Sequence, residues 1–129
     1  MTDFTYSEKV MEHFKDPRNV GEVANPDGTG EYGSPVCGDT MRVTIRVVDG
    51  KLAEVKWRTL GCGAAIASSS AMSEMATGMT VAEAESLSRE QVAGVLGGLP
   101  EAKLHCSNLA ADALRAAIAD YRSRHPAEG

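Results

Sequence analysis

Apolar residues in this chain follow a two-residue period in the first half and a helical one in the second. Met41, Val43, Ile45 and Val47 alternate with Arg42, Thr44 and Arg46, the pattern of a strand with one buried face. Asp49-Gly50 then leads into a second run at 52–60, and an Asp-Gly pair in that setting predicts an antiparallel hairpin with a primed turn. Upstream, 20–35 is rich in Gly, Pro, Asn and Asp and reads as loop with an edge strand at 29–33. Thr5 and Glu8 have capping-box spacing for a short helix that must end before Pro17, because proline pushes the residue before it out of helical geometry.

Beyond the hairpin, 64–76 is small or apolar without alternation, which predicts a helix stopped by Gly78. Thr80 with Glu83 and Ser88 with Gln91 are two further capping boxes that open short helices, the second ending at Gly97-Gly98. Ala110, Leu114, Ala117, Ile118 and Tyr121 recur at helical spacing and give a C-terminal amphipathic helix that starts near Leu104 and fades after Arg124. The expected fold is α+β: a small antiparallel sheet of three strands with helices packed on one face, in one domain spanning 1–129.

Composition narrows the function classes. With 43% apolar residues in 129, the chain can build one core. Thirteen Lys and Arg against eighteen Asp and Glu give a net charge of -5, with no basic run able to neutralise a phosphate backbone, so nucleic acid is not an expected partner. No apolar stretch approaches the roughly 18 residues that cross a bilayer, and MTDFTYSEKV has no apolar h-region, so no membrane contact and a cytoplasmic location are expected. Three widely separated cysteines flanked by glycines argue against a disulfide framework and suit a reducing compartment.

Those cysteines carry the candidate chemistry. Cys37 in PVCGDT, Cys62 in LGCGAAIASSS and Cys106 in KLHCSNLA each fall at a junction between expected elements, so the three could meet at one end of the sheet. Asp39 and His105 bring the candidate ligands to five, where a tetrahedral metal or a two-iron cluster takes four side chains. The spacing is too wide for a zinc finger or a ferredoxin loop. Gly38, Gly61 and Gly63 allow close approach of a bulky inorganic core, and a helix beginning after Cys62 favours its thiolate. A surplus of mixed soft and hard ligands suits a site that gains its cargo and gives it up.

Three function classes use these residues: a cluster scaffold, a zinc-held binding module, and a thiol enzyme with Cys106 or Cys62 as nucleophile and His105 as base. The last is geometrically weak, because adjacent helical residues do not face one another. His13 and His125 read as solvated surface residues, Lys103 as exposed, and Ser68-Ser69-Ser70 as small residues that allow close helix packing without a partnered base.

Taken in order, YSEKVMEHFKDPRNVG, VCGDTM, GCGAAIASSS and LHCSNLAADALRAAIADYRSR resemble the IscU family of iron–sulfur cluster assembly scaffolds, a group that includes the N-terminal domain of NifU. The resemblance spans nearly the whole chain. It implies that Cys37, Asp39, Cys62 and Cys106 surround a nascent [2Fe-2S] cluster, with His105 as an alternative ligand and zinc as an occupant of the isolated form. It implies no organic reaction, and hence no enzyme. Sulfur would arrive as a persulfide from a cysteine desulfurase, with Cys106 the favoured acceptor because it opens a helix after the Gly97-Gly98 hinge. Finished clusters would pass to apo-proteins, with a ferredoxin and a frataxin-like protein as further partners, from a monomer or a homodimer.

The related SufU-type proteins, zinc-dependent sulfur acceptors, carry an insertion before the last cysteine and lack the histidine there. This chain has His105 and no insertion, so the scaffold reading leads and the SufU type is the alternative. Two positions depart from the family pattern. Leu99-Pro100-Glu101-Ala102-Lys103 stands where bacterial scaffolds show the Leu-Pro-Pro-Val-Lys recognised by an Hsp70-type chaperone. The glutamate removes backbone restraint and adds a negative charge, which weakens the expectation of chaperone engagement. Ala64 replaces the usual serine after GCG and so removes one cap for the helix that follows.

Overall fold

The computed structural model describes residues 8–33, 40–60, 63–97 and 104–125, and for 9, 60, 63–64 and 104–108 the backbone alone. In chain order the elements are α1 (Glu8–Lys15), β1 (Gly28–Gly33), β2 (Thr40–Val48), β3 (Lys51–Leu60), α2 (Gly63–Ala76), α3 (Val81–Glu85), α4 (Arg89–Val95) and α5 (Leu104–Arg124). The three strands form one antiparallel sheet in the order β1-β2-β3. This is the α+β arrangement the pattern predicts. Thr5 of the first capping box lies outside the described residues.

The hairpin forms for the reason its sequence suggests. Asp49 and Gly50 both have positive φ, 53° and 76°, which matches the right-handed twist of the strands they join. One feature the alternation does not announce is a register shift between Arg46 and Val47, which brings Val47 opposite Leu52. Met41, Val43 and Ile45 on β2, with Leu52, Val55 and Trp57 on β3, are buried on the sheet's inner face, against Ala67, Met72, Ala76, Leu109, Leu114 and Ile118 of the helices. Burying such side chains contributes about 1.5–3 kcal/mol each and is the main force on the fold. On the opposite face Thr44 is also buried, and its hydroxyl receives the Val23 backbone N–H at 2.9 Å.

β1 has the sequence Gly-Thr-Gly-Glu-Tyr-Gly, poor in strand formers. Its glycines are required by α5. A Cβ at Gly30 would stand 2.3 Å from both the Ala113 carbonyl oxygen and the Ala117 nitrogen, and one at Gly28 only 2.2 Å from the Ala117 oxygen. Alanines at 110, 113 and 117, all buried, complete this close seat from the helix side. Asp120 reinforces it by accepting the Thr29 N–H at 2.8 Å and pairing with Arg124 at 2.6 Å. These bonds hold the Asp120 carboxyl below its ordinary range, the Arg124 pairing first and the Thr29 N–H after it.

Both remaining capping boxes are closed. The Thr80 and Ser88 hydroxyls accept from the backbones of Glu83 and Gln91, whose side chains return the bond to the cap backbones at 2.9 Å. α2 ends where Gly78 takes φ 93°, and α4 is followed by Gly97 at φ 77°, positions an L side chain rarely adopts. Among the described residues no helix is long and apolar enough to cross a membrane.

Candidate cluster-binding site

Backbone register brings the residues that bound the candidate-ligand segments to one end of the sheet. Gly33, the last residue of β1, pairs with Thr40, the first of β2, and Thr40 pairs with Leu60, the last of β3. Segment 34–39, with Cys37 and Asp39, joins the first pair, and segment 61–62, with Cys62, leaves from the second. All three candidate ligands lie outside the described residues, but the residues that bound their segments are neighbours in one row.

The seat of α5 fixes the third contribution. Gly28 meets Ala117 and Tyr121, and Gly30 meets Ala113 and Ala117, so the helix runs antiparallel to β1. Two strand residues rise about 6.6 Å and four helical residues about 6 Å, which agrees with that pairing. Extending the same geometry to Gly33 reaches the first turns of α5, whose backbone carries His105 and Cys106. Lys103 and the 99–103 segment lie outside the described residues.

A groove of about 790 Å³ opens at this end, lined by Pro17, Val20, Tyr32, Met41, Trp57 and Ile66 together with Gly33, Thr40, Thr59 and the charged Glu31, Arg42 and Arg58. On the outer face, Glu31, Arg42 and Arg58 form a row across the three strands. Arg42 pairs with Glu31 and also with Glu22 at 3.0 Å, and Arg58 lies 4.0 Å from the same Glu22. Such exposed pairs are worth under about 1 kcal/mol each. Sequence reasoning missed the groove; the available signal was the lone Trp57 and Tyr32 within strands otherwise lined by aliphatic residues and glycine.

Two expectations need correction. His13 is not a solvated surface residue: it is buried at 6% exposure, with Nδ1 2.7 Å from the Ser70 hydroxyl and 3.2 Å from the Arg18 guanidinium. A guanidinium can only donate, so Nδ1 accepts, and the Ser70 hydroxyl donates to it while receiving the Arg18 backbone N–H at 2.9 Å. Nε2 then carries the proton and faces Glu74 at 3.6 Å. The signal was present, since His13 is three residues from the buried Val10 and shares its helix face. His125, half-buried, stacks on Tyr121 at 5.0 Å.

The serine run likewise does more than allow close packing. Ser70 has a partnered imidazole, and Ser73 receives Asn19 Nδ2 at 3.0 Å and donates to the Ser70 carbonyl at 2.7 Å. Ser69 donates to the Ala65 carbonyl at 2.7 Å and approaches the Met41 sulfur at 3.0 Å. Ser70 with His13 has the composition of a nucleophile and its base. Ser70, however, is fully buried and its hydroxyl is committed in both directions, so no substrate reaches it. The pair ties α1 and the chain after it to α2.

Comparison with known proteins agrees with this geometry. The family model described as the NifU-like N terminal domain matches residues 5–128. The chain is 56% identical over 116 residues to iron-sulfur cluster assembly scaffold protein IscU 1 of Archaeoglobus fulgidus, covering 90% of this chain and 76% of that one. It is 46% identical over 127 residues to the scaffold protein IscU of Escherichia coli K12, covering 95% and 98%. A NifU-like N-terminal protein from Brucella abortus has the same fold, with a TM-score of 0.74 at 20% identity over 92% of this chain and 94% of its own. With a match across nearly its full length, the chain belongs to the family of IscU-type, NifU-like N-terminal iron–sulfur cluster assembly scaffold proteins.

Proposed function

We propose that this chain assembles an iron–sulfur cluster as cargo at the sheet end bounded by Gly33, Thr40 and Leu60, holding it with Cys37, Cys62 and Cys106 and a fourth ligand from Asp39 or His105. The observation that carries the reading is the in-register row Gly33–Thr40–Leu60, which anchors two ligand-bearing segments side by side, with α5 starting at the same end. Thiolates suit iron and sulfide, and a carboxylate adds a harder, more labile contact. Two irons are the natural form, because four side chains from one chain complete such a cluster.

Sulfur enters when the Cys106 thiolate attacks the outer sulfur of a persulfide on a cysteine desulfurase. A new S–S bond forms at Cys106, the donor's S–S bond breaks, and the donor leaves as its thiolate. Two electrons from a ferredoxin-type donor then reduce the outer sulfur to sulfide, breaking the S–S bond and freeing the Cys106 thiolate, and the finished cluster passes to apo-protein thiols, the labile Asp39 contact opening first. No organic substrate is turned over.

The test is anaerobic incubation with ferrous iron, cysteine and a desulfurase, followed by visible absorbance. The parent should develop cluster bands, Cys62→Ser should not, and Asp39→Ala should assemble a cluster but deliver it more slowly to an apo-ferredoxin. Zinc uptake without any cluster bands would favour the SufU-type sulfur acceptor instead. Equal cluster content in Cys62→Ser and parent would sink the assignment of ligands.

A further inference from the structure

The groove beside the proposed ligands has features that cluster ligation does not require. Its floor is the row Tyr32, Met41 and Thr59, three residues in register across the strands and on the sheet's inner face. Met41 is buried, its sulfur 3.0 Å from the Ser69 oxygen, and the Thr59 hydroxyl donates to the Thr40 carbonyl at 2.5 Å. Trp57, 2% exposed, forms part of the wall and donates its indole N–H to the Arg18 carbonyl at 2.7 Å. Ile66, in the first turn of α2, lines the groove as well, with Pro17 and with Val20, which is bridged to Trp57.

The rest of the lining is mixed: Glu31, Arg42 and Arg58 add charged groups, which pair among themselves and with Glu22. Tyr32 differs from its neighbours. It is 49% exposed, stands at the outer end of the floor, and is adjacent to Gly33, where segment 34–39 begins. Phe14, Val20 and Val48 are exposed to a similar degree, but Tyr32 is the aromatic ring that stands at the mouth of the groove and narrows it.

We infer that Tyr32 is a shielding residue: its ring closes the outer side of the groove and sets how fast water and small chelators reach the cargo, without ligating it. This rests on the cluster-assembly reading above and extends it to residues outside the ligand set. The shell around a metal site controls solvent access as surely as the ligands control affinity. A scaffold needs that control, because its cargo must survive in water and still be open to a protein thiol.

The experiment loads the full chain with its cluster and follows bleaching of the visible bands after EDTA is added. Tyr32→Ala should lose its cluster about tenfold faster than the parent, the low end of what altered surroundings cost a metal site. Tyr32→Phe should keep the parental rate, since the ring and not the hydroxyl forms the wall, and Tyr32→Trp should match or slow it. Val48→Ala, a comparably exposed apolar position at the hairpin end of the sheet, is the control and should change nothing. Thermal midpoints of all four variants should stay near the parent, separating shielding from stability.

A parent that takes up no cluster sinks the assembly reading and the shielding role together. A parent that takes one up and loses it at the rate of Tyr32→Ala overturns the shielding role alone. Loss from Tyr32→Phe as fast as from Tyr32→Ala would transfer the effect to the hydroxyl and overturn the wall.

Discussion

Single residues decide how α1 is held. The imidazole of His13 accepts from a serine that is itself fixed by the Arg18 backbone, so removing either partner strands a buried polar atom. Stranding one costs about 1–3 kcal/mol, more than the loss of an exposed ion pair. Ser70→Ala and His13→Ala should therefore each lower stability by about that amount in urea unfolding. The double variant should cost less than the sum, since both remove one shared bond. Additive losses would show that the two side chains act independently. The pattern of apolar residues could not announce this pair, because His and Ser are silent in hydropathy and their partnership joins positions far apart in sequence.

Elements whose residues act locally were legible; those held by a neighbour's shape were not. The hairpin, both complete capping boxes and the limits of α5 follow from turn chemistry, cap spacing and helical period. β1 was legible only as a weak edge strand, because its glycines answer to the backbone of α5, and the segments with the candidate ligands entered through their cysteines and the family resemblance. Two predictions belong here. Gly30→Ala must displace α5 or β1, since the added methyl meets backbone atoms, and should cost about 1–3 kcal/mol or more by calorimetry. A loss below about 0.5 kcal/mol would mean the seat is loose. Asp120 supplies a pH dependence. Its pKa is lowered on folding, so its contribution is complete above the ordinary value of about 3.9 and is lost as pH falls through the folded value. Asp120→Asn should flatten the rise of stability with pH in that acid window. An unchanged slope would assign the acid sensitivity to other carboxylates.

At the scale of the whole molecule, the two ends of the sheet have different tasks. The hairpin end is closed by short-range bonds: Lys51 bridges Thr80, and the Val81 N–H reaches the Gly50 carbonyl at 3.0 Å. The other end is where strands stop, α2 and α5 start, and the groove opens. Cargo that binds the folded chain alone must stabilise it by mass action. Zinc or cluster loading should therefore raise the thermal midpoint of the parent and leave that of Cys62→Ser close to its apo value. Equal shifts in both would place the bound metal elsewhere.

The position of Trp57 has an optical consequence. It is the single tryptophan of the chain; its backbone N–H reaches the Asn19 carbonyl, its carbonyl receives Gly21, and its indole faces the groove wall. Held this rigidly, it emits from one fixed position, and a coloured cluster arriving beside it should drain that emission by energy transfer. The protein therefore carries its own reporter of loading, one that needs no dye. Fluorescence should fall in step with the growth of visible absorbance and recover as the cargo is handed on; emission that stays constant throughout would put the cluster far from the groove.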